Sequence, residues 1–162
     1  MHCKDFTVSQ ENFNIVSCET CGFKFTNPMP SKNEIGKYYD SDKYISHTNS
    51  KKGLFNFLYQ SIRGITIKSK RKLLASDRQN IHHLDIGCGT GEFLYECKKN
   101  GINVFGVEPS KAAAEQAINN FKIEVVDSIF SKTFTNKKFD SISMWHVLEH
   151  VHDIKKSISK IN

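Results

Sequence analysis

Three glycines at alternate positions, Gly87, Gly89 and Gly91, follow Asp85 in the stretch HHLDIGCGTGEF, His82 to Phe93. Glycine turns the chain sharply and lets a ligand come close to the backbone. Between a strand and a helix, such a loop presents N–H groups to whatever sits above the sheet. Seventeen positions beyond Gly91 stands Glu108, after the apolar run VFGV. A carboxylate at the carboxyl end of a second strand can accept hydrogen bonds from both hydroxyls of a ribose. Together the two features ask for a nucleoside. The loop reads G-x-G-x-G, with Glu92 where a dinucleotide loop has its third glycine, and no Gly-Lys-Ser/Thr follows as a P-loop requires. A nicotinamide-dependent oxidoreductase is the disfavoured reading.

Two other constellations contain metal-ligand types. HVLEH, His146 to His150, fits H-x-x-E-H, a zinc-protease pattern that needs both histidines on one helix face. The strand-like FDSISMW runs straight into it, so that reading is set aside. Near the start, Cys18 and Cys21 form a Cys-x-x-Cys followed by glycine, as in zinc knuckles and ribbons. Only His2 and Cys3 stand upstream, so a site from His2, Cys3, Cys18 and Cys21 would be crowded against the chain start. The alternative is a pair of unligated cysteines on a β-hairpin. Cys88 reads as a small buried hydrophobe and Cys97 as filler on the next helix.

The elements that must position these residues divide the 162-residue chain by texture. Residues 1–50 are rich in aromatics and turn signals, with a break at NPMPS, Asn27 to Ser31. Residues 51–80 read as one or two helices, with Leu54, Phe55, Leu58, Ile62, Ile65 and Leu73 at roughly helical spacing. Residues 81–162 alternate apolar runs and helical patterns, the signature of βαβ units and a parallel sheet. The strands expected there are Ile81–Ile86, Val104–Val107, Ile123–Val126 and Phe139–Met144. A helix is expected from about Glu92 to Asn100, stopping at Gly101. Ser110 is expected to cap KAAAEQAINNF, and Asp153 to cap the last helix.

Apolar residues make up 38% and charged residues 25%, which favours a globular class over disorder. The first residues resemble no signal peptide and no apolar stretch approaches the ~18 residues of a membrane span, so a cytoplasmic protein is expected. Five cysteines, an odd count, argue for reduced thiols. Much of the net charge of +6 lies in Lys51–Lys52 and RGITIKSKRK, Arg63 to Lys72. That stripe reads as the solvated face of a helix in preference to a nucleic-acid site.

LDIGCGTGEF followed by VFGVEPS resembles motifs I and II of class I S-adenosylmethionine-dependent methyltransferases. FDSISMWHVLEHVHD, Phe139 to Asp153, resembles the strand 4 motif of that superfamily. The three motifs cover roughly residues 81–153 in the right order. The resemblance implies a Rossmann-like, doubly wound, mainly parallel sheet, incomplete here with strands 1 to 4. It implies S-adenosylmethionine as co-substrate and a small-molecule methyl acceptor. Asp85 and the backbone from Gly87 through Cys88 and Gly89 to Gly91 would hold the methionine part of the donor. Glu108 would bind the ribose and Pro109 would line the adenine pocket, with Asp127 and Ser128 beside it. Trp145 and His146 would face the donor and the acceptor. The Cys-x-x-Cys segment, with NPMPSKNEIGKYYDSDKYISH after it, is similar to one found ahead of this fold in a bacterial branch, where many relatives have a second Cys pair upstream; this sequence departs in offering only His2 and Cys3 there, and zinc here would use Cys18, Cys21 and Cys3. Tyr38, Tyr39 and Tyr44 would contribute to a lid over the donor or to local packing.

Methyl transfer from a sulfonium is an in-line displacement, so the protein's part is orientation and exclusion of water. An oxygen or nitrogen acceptor needs a base, and His146 is the candidate because histidine titrates near neutrality. Strands 5 to 7 of the resembled fold have no counterpart, so a piece of a longer methyltransferase is expected. Its strand 4 edge would be open to a second copy or a complementing chain. The rival from another class is a non-catalytic module that binds the donor or a partner.

Overall fold

The computed structural model describes residues 1–6, 8–31, 34–38, 54–74 and 80–161, and for 54–61 the backbone alone. Tyr39, Tyr44 and Lys51–Lys52, invoked above, lie outside the described residues. The chain divides into two compact units, Met1–Lys51 and Lys52–Asn162.

In the first unit three antiparallel strands, β1 (His2–Lys4), β2 (Asn12–Ser17) and β3 (Lys24–Asn27), form a sheet in the order β1-β2-β3. Asp5 closes the first turn by accepting from the N–H groups of Val8 and Ser9 at 3.1 and 2.8 Å. The second turn holds Cys18 and Cys21. Gly22, at φ 72°, donates to the Cys18 carbonyl, and Cys18 N–H donates to Phe23 O at 2.8 Å. A 3₁₀ turn, Ile35–Tyr38, follows. Among its described residues this unit has none that is fully buried.

The second unit opens with the 20-residue helix α1 (Leu54–Leu73). The side chains of Leu54, Phe55 and Leu58 are not among those described. Ile62, Ile65 and Leu73 are exposed, while Ile67 and Leu74 join the core. Arg63 and Arg71 tie α1 to the next helix through Glu92 and Glu96, at 3.1 and 3.8 Å.

The sheet of this unit consists of β4 (His82–Ile86), β5 (Asn103–Val107), β6 (Glu124–Val126) and β7 (Ser141–Ser143), all parallel, in the order β6-β5-β4-β7. Helices α2 (Glu92–Lys99) and α3 (Lys111–Phe121) make the first two crossovers, and α4 (Ile154–Ile161) follows β7. Local signals end these helices as expected. Gly101 turns the chain at φ 81° after α2, Ser110 Oγ accepts from Ala113 N–H, and Asp153 Oδ1 accepts from Lys156 N–H. The fourth strand is shorter than Phe139–Met144. Where the ladder would extend, the Asp140 side chain accepts the His82 N–H at 2.8 Å and regular pairing begins only beyond it. Phe139 and Met144 still pack in the core.

β4 is buried on both faces. Leu84 and Ile86 point into a cluster with Val107 and Phe134. Ile81, Phe93, Cys97 and Ile102 fill the opposite side, under α2. His83 and Asp85 alternate with Leu84 and Ile86 and share the α2 side.

Candidate functional site

From β4 the chain steps outward through β5 to β6, then returns to lay β7 on the other side of β4. In an open parallel sheet, the crevice at the carboxyl ends of the strands where the direction of stepping reverses is where ligands bind. Here that point lies between β4 and β7. The parallel register gathers Asp85, the glycine loop, Glu108, Asp127–Ser128 and Trp145–His146 at this one end of the sheet.

Each glycine of the loop answers a different demand. At Gly87, φ 76°, an added Cβ would lie 2.3 Å from Val147 Cγ2; at Gly91, φ 85°, it would lie 2.7 Å from Ala117 Cβ. Those two are required by packing. At Gly89, φ 55°, nothing lies within 4 Å. The space above Gly89 is therefore where a ligand can approach the backbone.

The amides are less free than the sequence implies. Gly87 and Cys88 N–H both donate to Val107 O at 2.7 and 3.0 Å, and Gly91 N–H donates to Cys88 O at 3.1 Å. Gly89 N–H donates to Glu108 Oε2 at 2.8 Å. Val107 ends β5 and Glu108 follows it, so the neighbouring strand holds the loop in shape before any ligand arrives. Glu108 Oε1 also accepts from Ser110 N–H at 2.8 Å. The carboxylate thus bridges the loop and the start of α3, and each oxygen keeps a further lone pair to accept with.

At the start of α2, Glu92 is gripped by Arg63 and by Thr90 Oγ1, the latter at 2.6 Å. The positive end of the helix already has its carboxylate, which is where a dinucleotide would need its pyrophosphate.

Asp85 is 3% exposed. Burial pushes its carboxyl up to about 7, against the pull of the Ser143 hydroxyl and the Lys70 ammonium, and Glu108 adds to the rise. The Ser143 hydroxyl donates to Asp85 Oδ1. Ser143 Oγ also lies 3.0 Å from His83 Nε2, and Ser141 Oγ lies 2.8 Å from His83 Nδ1. Burial holds the His83 imidazole down at about 4. The thiols of Cys88 and Cys97 are both pushed up by burial, Cys97 to about 12, so neither is a thiolate. Cys88 is buried beneath the loop, its Sγ against Gly106.

Sequence reasoning missed Lys70, His83, Ser141 and Ser143. Lys70 belongs to the stripe expected to face solvent, yet its Nζ lies 4.3 Å from the Trp145 ring centroid. Trp145 also packs edge-on against Phe93, and its indole N–H is buried without a partner. His146 has φ 56°, in the left-handed region that an L residue enters at a cost of about 1–2 kcal/mol. Its side chain is 86% exposed, with Nδ1 at 3.9 Å from Glu149. The residues from Leu148 to His150 form a 3₁₀ turn, so His146 and His150 do not share a helix face, which removes the protease pattern. Pro109 and Asp127 are exposed at the same end, and Ser128 Oγ accepts from Phe130 N–H at 3.2 Å, tightening the turn after β6.

The expected zinc set does not assemble among the described residues. Cys3 pairs in register with Phe13, at the far end of β2 from Cys18, and no group of three or more His, Cys, Asp or Glu is placed to hold a metal. Backbone N–H groups of Cys21 and Thr20 lower the Cys18 thiol, but a pair of thiols does not complete a four-ligand site.

Residues 59–162 match the family described as "Methyltransferase domain". A ubiquinone biosynthesis O-methyltransferase of Rickettsia bellii is 28% identical over 134 residues, covering 78% of this chain and 54% of the relative. The protein of the same name from Pelagibacter ubique is 34% identical over 134 residues, covering 76% and 56%. The chain thus spans about half the length of the curated relatives it matches. The crystal structure of magnesium protoporphyrin IX methyltransferase from Synechocystis is similar with a TM-score of 0.60 at 16% identity, over 81% of this chain and 66% of that one. That likeness supports the Rossmann-like fold.

Proposed function

The chain belongs to the methyltransferase domain family, and on that premise we propose that it binds S-adenosylmethionine at the carboxyl ends of β4, β5 and β7 for transfer of its methyl group to a small molecule. The observation that carries this reading is the Glu108 carboxylate, fixed by Gly89 and Ser110 beside the open backbone at Gly89. Ribose hydroxyls donating to Glu108 complete its hydrogen bonding. Asp85 and Lys70 lie toward the methionine end, where an anion and a cation suit an ammonium and a carboxylate. The loop from Gly87 to Gly91 carries the donor across the sheet. Pro109, Asp127 and Ser128 border the adenine, and the buried Trp145 N–H awaits an acceptor.

In the transfer, an acceptor oxygen attacks the methyl carbon, the carbon–sulfur bond breaks, and its electron pair stays on sulfur as the thioether. The donor supplies that reactivity; the protein supplies alignment, with the packed rings of Phe93 and Trp145 helping to exclude water. The acceptor's proton leaves to a base, and His146 fills that role in this reading. The relatives' name, an O-methyltransferase, points to a hydroxyl as the acceptor group. No described helix is long and apolar enough to cross a membrane; a cytoplasmic setting is part of the proposal, as is pairing of the β7 edge with a second copy or a complementing chain.

Calorimetric titration with S-adenosylhomocysteine, with NAD as control, tests the donor site. Binding of the first and not the second supports it; the reverse, or neither, overturns it. Radiolabelled methyl transfer to a panel of phenolic and sugar hydroxyls then tests catalysis. Donor binding with no transfer to any of them reduces the chain to a donor-holding module.

A further inference from the structure

His83 is fully buried, both of its ring nitrogens meet serine hydroxyls of β7, and no step of the proposed transfer uses it. The chemistry of those contacts fixes where its proton sits. An ionised carboxylate has nothing to donate, so the short contact between Ser143 and Asp85 uses the hydroxyl's only proton. Ser143 Oγ is then left as an acceptor, and His83 Nε2, at 3.0 Å, must carry the hydrogen that meets it. A neutral ring protonated there has its lone pair on Nδ1, which accepts from the Ser141 hydroxyl at 2.8 Å. With Asp85 ionised, this arrangement gives every donor in the chain Ser141–His83–Ser143–Asp85 an acceptor; with Asp85 protonated, the same contacts run the other way. Phe93 packs edge-on against the ring of His83, and the Ser141 backbone also bonds to that ring.

We infer that His83 is a positioning residue for the donor site: by donating from Nε2 to Ser143 Oγ it commits the Ser143 hydroxyl to Asp85 and holds that carboxylate ionised and aimed at the donor. The inference rests on the reading of Asp85 as part of the donor site. Burial supports it, because an imidazole held down near 4 stays neutral and keeps a free lone pair at working pH. The groups facing Asp85 are Lys70 from α1, Cys88 in the loop, Cys97 from α2, Glu108 after β5 and Ser143 from β7. Of these, only Ser143 is oriented by His83.

The test is the affinity for S-adenosylhomocysteine from pH 5.5 to 8.5, measured on the intact chain and on His83→Phe and His83→Gln. In the unmodified chain affinity rises as pH passes through about 7, where Asp85 ionises. With phenylalanine the midpoint moves upward and affinity at pH 7 falls roughly three- to tenfold, the worth of one buried hydrogen bond. Glutamine, whose amide N–H reaches toward the Nε2 position, restores most of the loss. A uniform loss at all pH values with an unmoved midpoint would mean that His83 only fills space, and would overturn the inference. If the phenylalanine variant does not fold, nitrogen-15 spectra of the His83 ring in the unmodified complex decide: an Nε2–H tautomer supports the inference, and an Nδ1–H tautomer or an imidazolium overturns it. Absence of binding by the folded, unmodified chain at every pH instead removes the donor reading, and this inference with it.

Discussion

Gly22 and Gly87 have nearly the same backbone angle, φ 72° and 76°, in very different surroundings. Around Gly22, in the N-terminal sheet, a Cβ would find nothing within 4 Å; at Gly87, in the parallel sheet, it would strike Val147 at 2.3 Å. The same contrast runs through both units. The N-terminal sheet is a set of short antiparallel strands with exposed or half-buried side chains, including the stacked rings of Phe23 and Phe25. The parallel sheet buries β4 on both faces and fits polar groups into its core one hydrogen bond at a time. Packing constrains the glycine loop at Gly87 and Gly91, whereas the cysteine turn is held by backbone hydrogen bonds with open space at Gly22.

The comparison breaks most visibly at those two glycines. Gly87→Ala should cost about 3 kcal/mol or more, from overpacking added to an unfavourable φ. Gly22→Ala should cost about 1 kcal/mol, from φ alone. Urea unfolding of the two variants checks this, and equal losses would erase the distinction between the units.

Next in size is the pH dependence of stability. The folded pKa of Asp85 lies above its unfolded value, so its contribution is present at low pH and is lost as pH rises from about 4 through about 7. The folded pKa of His83 lies below its unfolded value, so its contribution is lost as pH falls from about 6.5 through about 4. Over this shared window the two slopes oppose each other, and in effect folding moves a proton from the histidine to the aspartate. The unmodified chain should therefore be nearly flat in stability between pH 4.5 and 6.5. His83→Phe should lose stability as pH rises, and Asp85→Asn should gain it, each by on the order of 2–3 kcal/mol across the window. Thermal melts at spaced pH values read the slopes.

Glu108→Ala should weaken S-adenosylhomocysteine binding by about 1–3 kcal/mol, since a buried hydroxyl loses its partner. Part of that loss will come from the loop, because Gly89 and Ser110 lose the same acceptor. Calorimetry on a folded variant with unchanged affinity would remove Glu108 from the site. The smallest effect belongs to the cysteine turn. Cys18→Ser, or a chelator added to the unmodified chain, should shift stability by less than about 0.5 kcal/mol. A drop of several kcal/mol on chelation would show that the N-terminal unit is built around a metal after all.

What the sequence disclosed was what local chemistry decides. The alternation from His82 onward announced the parallel sheet, Ser110 and Asp153 announced their helices, and the glycines announced a loop that few side chains would allow. What it concealed depends on register. Asp85 and Ser143 are 58 residues apart and meet only because β4 and β7 pair in one alignment. Polar residues at alternate positions in two buried strands, His83 and Asp85 in one and Ser141 and Ser143 in the other, were the available signal. The helical spacing of Ile62, Ile65 and Leu73 marked α1 but not its packed positions, Ile67 and Leu74, beside the ion pairs of Arg63 and Arg71 with the next helix. Cys3 and Cys18 look close in sequence order and are parted by the β1–β2 register. The amides of Gly87, Cys88 and Gly89 seemed free because their acceptors, Val107 O and the Glu108 carboxylate, belong to β5 and the residue after it.

A crystal structure of the chain with S-adenosylhomocysteine bears most directly on the central claim, that Glu108 and the open backbone at Gly89 receive the donor. The account predicts both ribose hydroxyls within about 2.7–3.2 Å of the Glu108 carboxylate, a hydrogen-bonding distance, with the bonds from Gly89 and Ser110 retained. A ribose bound elsewhere, or a Glu108 that keeps only its two backbone partners while the ligand lies on another face, would contradict it.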